Sequence, residues 1–193
     1  IIEKQKLKLL FDRVWGYRIL NNASKVIAVS NTEVKHFNNI PNKKISIIPN
    51  ALNIDQFKHT SSFGNFRVKF GIKEKYLVLY FGRINKAKGI EFLIQSFYFL
   101  VKENDDAFLL IIGPDEGYIP EIKKILKKFN LEKKVLIIDN YIENPSEIYY
   151  NADILVYPAW FEIFGLIPFE ALLCGTPIIV AEDCGCGEYV KQG

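Results

Sequence analysis

The chain of 193 residues contains no methionine, and features of exported or membrane-spanning proteins are missing as well. A chain without methionine does not start at its own initiation codon, so we expect a fragment of a longer protein. No apolar run reaches the roughly 18 residues of a membrane span. No basic segment followed by an apolar one indicates a signal peptide. These absences predict a cytoplasmic protein.

Cysteine is scarce, with only Cys174, Cys184 and Cys186 present. An odd number does not form a complete disulfide set. Cys184 and Cys186 are separated by one glycine, whereas zinc and redox pairs usually have two residues between the cysteines. We therefore interpret all three as reduced structural thiols.

The net charge of the chain is also small, at +3. This value is too low to predict a nucleic-acid partner. Lysines cluster at positions 4, 6 and 8 and again at positions 123, 124, 127 and 128. We interpret these clusters mainly as lysines on the solvent-exposed faces of two helices. The alternative is peripheral contact with an anionic membrane surface, which would place the protein at the inner face of the membrane.

The first third of the chain predicts a mixed segment that ends in a linker. An amphipathic helix is predicted over residues 1–20. Strands are predicted at Lys25–Ser30 and Ile45–Pro49. Between the strands, a capping box at Ser30 and Glu33 predicts a helix that ends at about Asn38. Residues 50–65 lack periodicity. We therefore place a domain boundary between residues 57 and 58, with domains at 1–57 and 58–193.

After the linker, strand and helix patterns alternate regularly. A short helix near Phe66–Phe70 comes first. Strands are then predicted at Tyr76–Phe81, Ala107–Ile112, Val135–Ile138, Asp153–Tyr157 and Ile178–Ala181, separated by helices at Gly89–Lys102, Ile119–Phe129, Pro145–Asn151 and from about Pro168. This alternation is typical of the α/β class, and specifically of a Rossmann-like doubly wound parallel sheet.

Two carboxylates flank the predicted start of the helix at Pro168. Glu162 lies in the preceding loop, and Glu170 lies in the first turn, where the helix dipole favours negative charge. Backbone N–H groups of Phe164, Gly165 and Leu166 are predicted to face a ligand at this sheet edge. The alternative is that Glu170 only partners the dipole and Glu162 is a solvated loop charge.

Basic residues follow the first strand after the linker. Gly82 makes the turn, and Arg83 and Lys88 are predicted to lie over the same sheet edge as Glu162. A guanidinium fork and a mobile ammonium together suit a diphosphate, although basic residues at a helix entry are often merely solvated. The loop has neither a G-x-G-x-x-G nor a Walker pattern, which argues against NAD and P-loop nucleotide sites.

Three further loops are predicted at this edge. Gly113 ends the second strand, either to admit a ligand or to make the turn, with Asp115 and Glu116 as surface charges. The backbone at Tyr141 and Ile142, after the third strand, is suited to hydrogen-bond a flat base. The glycines of residues 183–188 predict an N–H nest that opens a last helix.

Together, these motifs resemble the C-terminal half of a family 4 retaining glycosyltransferase. The resemblance rests on Gly82-Arg83, Lys88-Gly89, Gly113, the Glu162-x7-Glu170 pair and Cys174-Gly175-Thr-Pro, in the order and spacing of the family. Residues 23–57 are similar to the tail of its N-terminal domain, except that Ala51 and Asn53 stand where glycine and aspartate are common. The resemblance implies a GT-B fold, with residues 1–57 from the acceptor domain and 58–193 from the donor domain.

The resemblance also implies roles for individual residues. Arg83 and Lys88 would bind the donor diphosphate, Glu170 the ribose, and Glu162 the sugar, which it would position without acting as a nucleophile. The donor would be a UDP- or GDP-linked sugar and the acceptor a glycan or lipid, with no cofactor and no metal. The alternatives are a non-catalytic nucleotide-sugar-binding module and a sugar-nucleotide epimerase. We expect this chain alone to be inactive.

Overall fold

The computed structural model describes residues 10–37, 40–57, 65–143 and 145–191. The predicted start of the first helix, the predicted end of the second at Asn38 and the C-terminal side of the predicted boundary at residue 58 lie outside these ranges.

The N-terminal segment holds a small two-stranded parallel sheet. A π-helical turn, Asp12–Gly16, leads into helix α1, Tyr17–Asn22; strand β1 is Val26–Ala28, helix α2 is Asn31–Val34, and strand β2 is Ile45–Ile47. The predicted capping box is present at α2. Its Ser30 hydroxyl accepts the N–H of Glu33 at 3.0 Å, and the Glu33 carboxylate accepts the N–H of Val29 at 2.7 Å.

The rest of the chain forms a five-stranded parallel sheet flanked by helices. The strands are β3, Tyr76–Phe81; β4, Ala107–Ile112; β5, Val135–Ile138; β6, Ile154–Tyr157; and β7, Ile178–Val180. The helices are α3, Asn65–Lys69; α4, Ile90–Glu103; α5, Ile119–Phe129; α6, Ser146–Asn151; and α7, Ile167–Leu173. The order β5-β4-β3-β6-β7 confirms the predicted doubly wound fold.

The central strands form the core because they are apolar on both faces. Leu77 and Leu79 of β3 and Leu109 to Ile112 of β4 have no exposed surface. Such continuous runs of Leu, Ile and Val are typical of parallel strands covered on both sides. They fix the middle of the sheet and therefore the edge at which its loops meet.

The strand order reverses between β3 and β6, which are neighbours although two strands separate them along the chain. At such a switch point the loops after the two strands diverge and leave a crevice for ligands. Here these are residues 82–89 after β3 and 158–166 after β6.

Strands β1 and β2 are shorter than predicted, and two predicted helices differ from the structure. Helix α2 ends at Val34, and the predicted last helix is a 3₁₀ turn, Gly185–Tyr189. This turn packs so closely on the β6 loop that a Cβ on Gly185 would lie 1.8 Å from the carbonyl oxygen of Ile163. The described part of the predicted first helix, residues 10–22, is helical throughout, with a π-helical stretch at Asp12–Gly16, and its Phe11 and Trp15 side chains are exposed.

Candidate functional site

The loops after β3 and β6 are joined by backbone hydrogen bonds. A 3₁₀ turn at Lys86–Lys88 places the carbonyl of Ala87 where it accepts the N–H groups of Trp160 at 2.9 Å and Phe161 at 3.3 Å. These bonds hold the basic loop against the loop that carries Glu162.

Lys88 and Glu162 form an ion pair at the centre of the crevice. The Lys88 Nζ lies 2.5 Å from the Glu162 Oε2, and the Tyr157 hydroxyl donates to the same oxygen at 2.7 Å. The Lys88 side chain is only 7% exposed, whereas that of Glu162 is 21% exposed. The pair is therefore open to a ligand from the Glu162 side.

Electrostatics keep this cluster in one protonation state. Burial would raise the pKa of Glu162, but hydrogen bonds from Lys88 and Tyr157 outweigh it and hold the pKa below the ordinary carboxyl value. Burial, reinforced by the Glu162 charge, raises the pKa of Tyr157. At neutral pH the cluster therefore contains an ionised carboxylate and a neutral phenol beside Lys88.

Arg83 lies further out and contacts a different carboxylate. Its Nη1 lies 2.8 Å from Glu116 Oε1, and Asn85 Nδ2 donates to Glu116 Oε2 at 2.6 Å. The hydrogen bonds from Asn85 and Arg83 lower the pKa of Glu116. The Arg83 side chain is 61% exposed. An exposed ion pair of this kind contributes little to stability, so Arg83 is able to exchange Glu116 for an anionic ligand.

Glu170 is held separately, in the first turn of α7 as predicted. Its Oε2 accepts the hydroxyl of Tyr149, which is fully buried in α6, at 2.7 Å. Burial, with the Glu170 charge second, raises the pKa of Tyr149. Tyr149 therefore stays a donor and fixes one carboxylate oxygen, which leaves the other available.

The glycines of the site serve close packing. Gly113 has φ +150°, and a Cβ there would lie 1.9 Å from the carbonyl oxygen of Gly82. Of the two predicted interpretations, the geometry favours turn formation against the neighbouring strand end. Gly165 has φ +79°, and a Cβ there would lie 3.0 Å from the Cγ of Glu162. Gly165 thus lets the loop close over the ion pair.

The residues whose N–H groups were predicted to face a ligand lie at the start of α7 and in the loop before it. The backbone N–H of Phe164 contributes to the lowered pKa of the Glu162 carboxyl. Leu166 is the N-cap of α7, and its carbonyl accepts the N–H groups of Phe169 and Glu170. Tyr141 and Ile142 follow β5, two strands away from β3, and the Tyr141 side chain is 76% exposed.

The structure thus brings Lys88 into direct contact with Glu162 and directs Arg83 and Glu170 to other partners. Sequence reasoning did not find Tyr157, Tyr149 and Asn85, which hold these groups. Tyr157 ends the apolar strand β6 and Tyr149 lies in helix α6, and neither belongs to a motif of its own. Glu116, interpreted as a surface charge, proves to be the partner of Arg83.

The part of the chain that the structure describes has neither a cluster of metal ligands nor a membrane-spanning helix. Among residues 10–37, 40–57, 65–143 and 145–191, no three His, Cys, Asp or Glu side chains are grouped so as to hold a metal ion. Within the same ranges, no helix is long and apolar enough to cross a membrane.

Known proteins with similar sequences and folds are glycosyltransferases. The chain is 29% identical over 179 residues to an uncharacterised glycosyltransferase of Methanocaldococcus jannaschii, covering 87% of this chain and 45% of that protein. It is 26% identical over 181 residues to the capsular polysaccharide biosynthesis glycosyltransferase CapM of Staphylococcus aureus, covering 89% and 47%. The chain therefore spans about half the length of these relatives.

The fold matches that of HepE from Anabaena, whose crystal structure contains UDP and glucose. The TM-score is 0.80 at 22% identity, covering 92% of this chain and 51% of that one. The chain thus has about half of a GT-B fold. The model of the family described as "Glycosyl transferases group 1" matches residues 62–193. On this match, which spans most of the chain, the protein belongs to the group 1 glycosyl transferases.

Proposed function

We propose that the chain carries the donor-binding half of a retaining, metal-independent glycosyltransferase. The reaction transfers a hexose from a UDP- or GDP-linked sugar to a glycan or lipid acceptor. The observation that carries the proposal is the Lys88–Glu162–Tyr157 cluster, which lies beside Arg83 at the switch point of the sheet.

The two cations are suited to a diphosphate in different ways. Lys88 is buried and fixed, so it presents a charge at one point. Arg83 is exposed and shares only a surface pair with Glu116, so its fork is free to turn towards two phosphate oxygens. A diphosphate bound between them displaces the weak Arg83–Glu116 pair and shares Lys88 with Glu162, which already contacts the Lys88 Nζ.

The two carboxylates hold different parts of the donor. Glu162 is partly exposed above Lys88, and its free oxygen accepts hydrogen bonds from sugar hydroxyls. Glu170, fixed by Tyr149, accepts those of the ribose. Backbone groups at Tyr141 and Ile142 contact the base. Glu162 therefore positions the sugar, and it does not act as a nucleophile.

Stabilisation of the leaving diphosphate by Arg83 and Lys88 replaces the role that a metal ion has in other transferases. The expected result is full activity of the complete enzyme in EDTA. Loss of activity that only a divalent ion restores would overturn this part of the proposal.

The similarity to CapM supports a role in polysaccharide synthesis. CapM acts in capsular polysaccharide biosynthesis, and HepE holds UDP and glucose. A capsule-type acceptor is a glycan or a lipid-linked glycan, which agrees with the acceptor proposed for this protein. The acceptor and its orientation depend on parts of a GT-B enzyme that this chain does not contain, so transfer requires the second half.

Isothermal titration of the chain with UDP and with GDP tests the donor half. We expect one of the two to bind and Arg83→Ala to weaken it by about tenfold, as for a lost charged hydrogen bond. Lys124→Ala, which removes an exposed cation on α5, is the matched control and leaves the affinity unchanged. No binding by the wild type, or equal binding by Arg83→Ala, would exclude the proposed site.

A further inference from the structure

The 3₁₀ turn Gly185–Tyr189 touches two regions far from each other along the chain. At its start, the N–H of Gly185 donates to the carbonyl of Glu162 at 2.9 Å. Near its end, the side chain of Glu188 reaches helix α2 of the N-terminal segment. The turn therefore bridges α2 and the loop of the candidate site.

Glu188 accepts four hydrogen bonds from the start of α2. Its Oε2 accepts the backbone N–H and the side-chain Nδ2 of Asn31, both at 2.9 Å. Its Oε1 accepts the backbone N–H of Thr32 at 2.5 Å and the Thr32 hydroxyl at 2.8 Å. Burial would raise the pKa of Glu188, but these bonds outweigh it and lower the pKa. The carboxylate is therefore ionised and fully engaged at neutral pH.

A second contact joins α2 to the β6 loop directly. The hydroxyl of Ser30, a fully buried residue, donates to the carbonyl of Ile163 at 2.5 Å. The rings of His36 and Phe161 meet edge to face at 5.5 Å. Residues 161–163 are thus held from the N-terminal segment on one side and from Gly185 on the other.

We propose that Glu188 is a positioning residue, whose bonds to Asn31 and Thr32 clamp α2 onto the Gly185–Tyr189 turn and so fix the Glu162–Gly165 loop for the donor. This inference rests on the proposed function for its donor part. Glu188 acts through the turn, since its carboxylate is occupied by α2. A gap between α2 and the turn would release Ile163 and Glu162 together. Lys88, which Glu162 holds at 2.5 Å and which is proposed to bind the diphosphate, would then lose its fixed position, so UDP affinity reports on the clamp.

The backbone of this loop has little room to readjust if its neighbours move, so its position depends on the contacts around it. Gly165 adopts a left-handed φ, and Gly185 packs so tightly that the Ile163 carbonyl leaves no room for a side chain. A carboxylate must be held in place to within a fraction of an ångström to bind its ligand productively. The clamp provides this from outside the site.

The test combines titration of the nucleotide that the wild type binds, UDP or GDP, with hydrogen exchange of the loop in the wild type, Glu188→Gln and Glu188→Ala. We expect the nucleotide affinity to fall roughly tenfold in Glu188→Ala, a coupling of ordinary size, and less in Glu188→Gln, which keeps one acceptor oxygen. Backbone exchange over residues 161–166 is expected to accelerate in the same order. Glu182→Gln, an exposed glutamate before the same turn, is the matched control and changes neither quantity.

The two readouts separate the possible failures. Equal exchange of residues 161–166 in all variants would overturn the clamp, whatever the UDP data. Faster exchange with unchanged UDP affinity would overturn its role in positioning the donor site. If the wild type binds neither UDP nor GDP, the proposed function fails, and the exchange rates alone decide whether Glu188 holds the loop.

A double-mutant cycle with Ser30→Ala tests whether Ser30 and Glu188 hold the Glu162–Gly165 loop together. Both residues act at the start of α2, Ser30 through the Ile163 carbonyl and Glu188 through Asn31 and Thr32. Their effects on UDP affinity are therefore expected to be non-additive. Strictly additive effects would show that the two residues act independently and would contradict a single clamp.

Discussion

Lys88 is a buried cation whose charge is balanced by one carboxylate, so a change at Glu162 affects stability as well as binding. Glu162→Gln keeps an acceptor for Tyr157 but leaves Lys88 without its counter-charge. We expect a loss of about 1–3 kcal/mol in the free energy of unfolding at pH 7, measured by urea titration.

The pH dependence of this loss has a defined sign. Because the folded-state pKa of Glu162 lies below its unfolded value near 4.5, its contribution is present above pH 4.5 and disappears as the pH falls through the folded pKa. The wild type and Glu162→Gln should therefore converge in stability below pH 4.5. A stability difference that stays constant into strong acid would show that the ion pair is not its source.

Glu170 provides a test of ribose recognition. If it accepts the ribose hydroxyls, the wild type should bind UDP roughly tenfold more tightly than 2′,3′-dideoxy-UDP. Glu170→Gln should reduce this preference, and Tyr149→Phe should do so to a smaller extent because it frees the carboxylate. Titration of both nucleotides measures the preference directly. The same preference in Glu170→Gln as in the wild type would place the ribose elsewhere.

The ends of strands β3 and β4 lie so close together that one added methyl group should lower the stability of the sheet. Gly113→Ala would force a Cβ against the Gly82 carbonyl, whereas at Gly117 no atom lies within 4 Å of an added Cβ. Both positions have positive φ, so the comparison isolates the clash. Gly113→Ala should lose at least about 2 kcal/mol more than Gly117→Ala in denaturant unfolding. Equal losses would mean that the strand ends are further apart.

Most elements of the main sheet could be predicted from the sequence, because buried parallel strands are continuous apolar runs. Strands β3, β4 and β5 and helix α5 have the predicted limits, and β6 and β7 differ by one residue. The turn at Gly185 was predicted as a helix, since its close packing on Ile163 is a tertiary contact that local patterns do not contain.

The candidate site was predictable in its charges but not in its pairings. Loop positions after parallel strands correctly indicated Arg83, Lys88 and Glu162 at one sheet edge. The observed pairs, Lys88 with Glu162 and Arg83 with Glu116, depend on how separate loops meet in the folded chain. The link between Glu188 and α2 spans 157 residues, so no local pattern indicates it.

For the whole molecule, we expect binding without catalysis. The chain spans about half the length of its relatives. We propose that it carries the donor residues and that acceptor binding needs the other half of a GT-B enzyme. Incubation of the chain with UDP- or GDP-sugars and candidate glycans should yield no transferred sugar. Measurable transfer by residues 1–193 would show that the acceptor site lies within this chain.

If the donor lies at the switch point between β3 and β6, as we propose, then bound UDP must lie there too. A crystal structure of the chain with UDP should place the diphosphate between Arg83 and Lys88, beside the Glu162–Gly165 loop, with the ribose at Glu170. UDP bound at the opposite sheet edge, or away from these residues, would contradict the account.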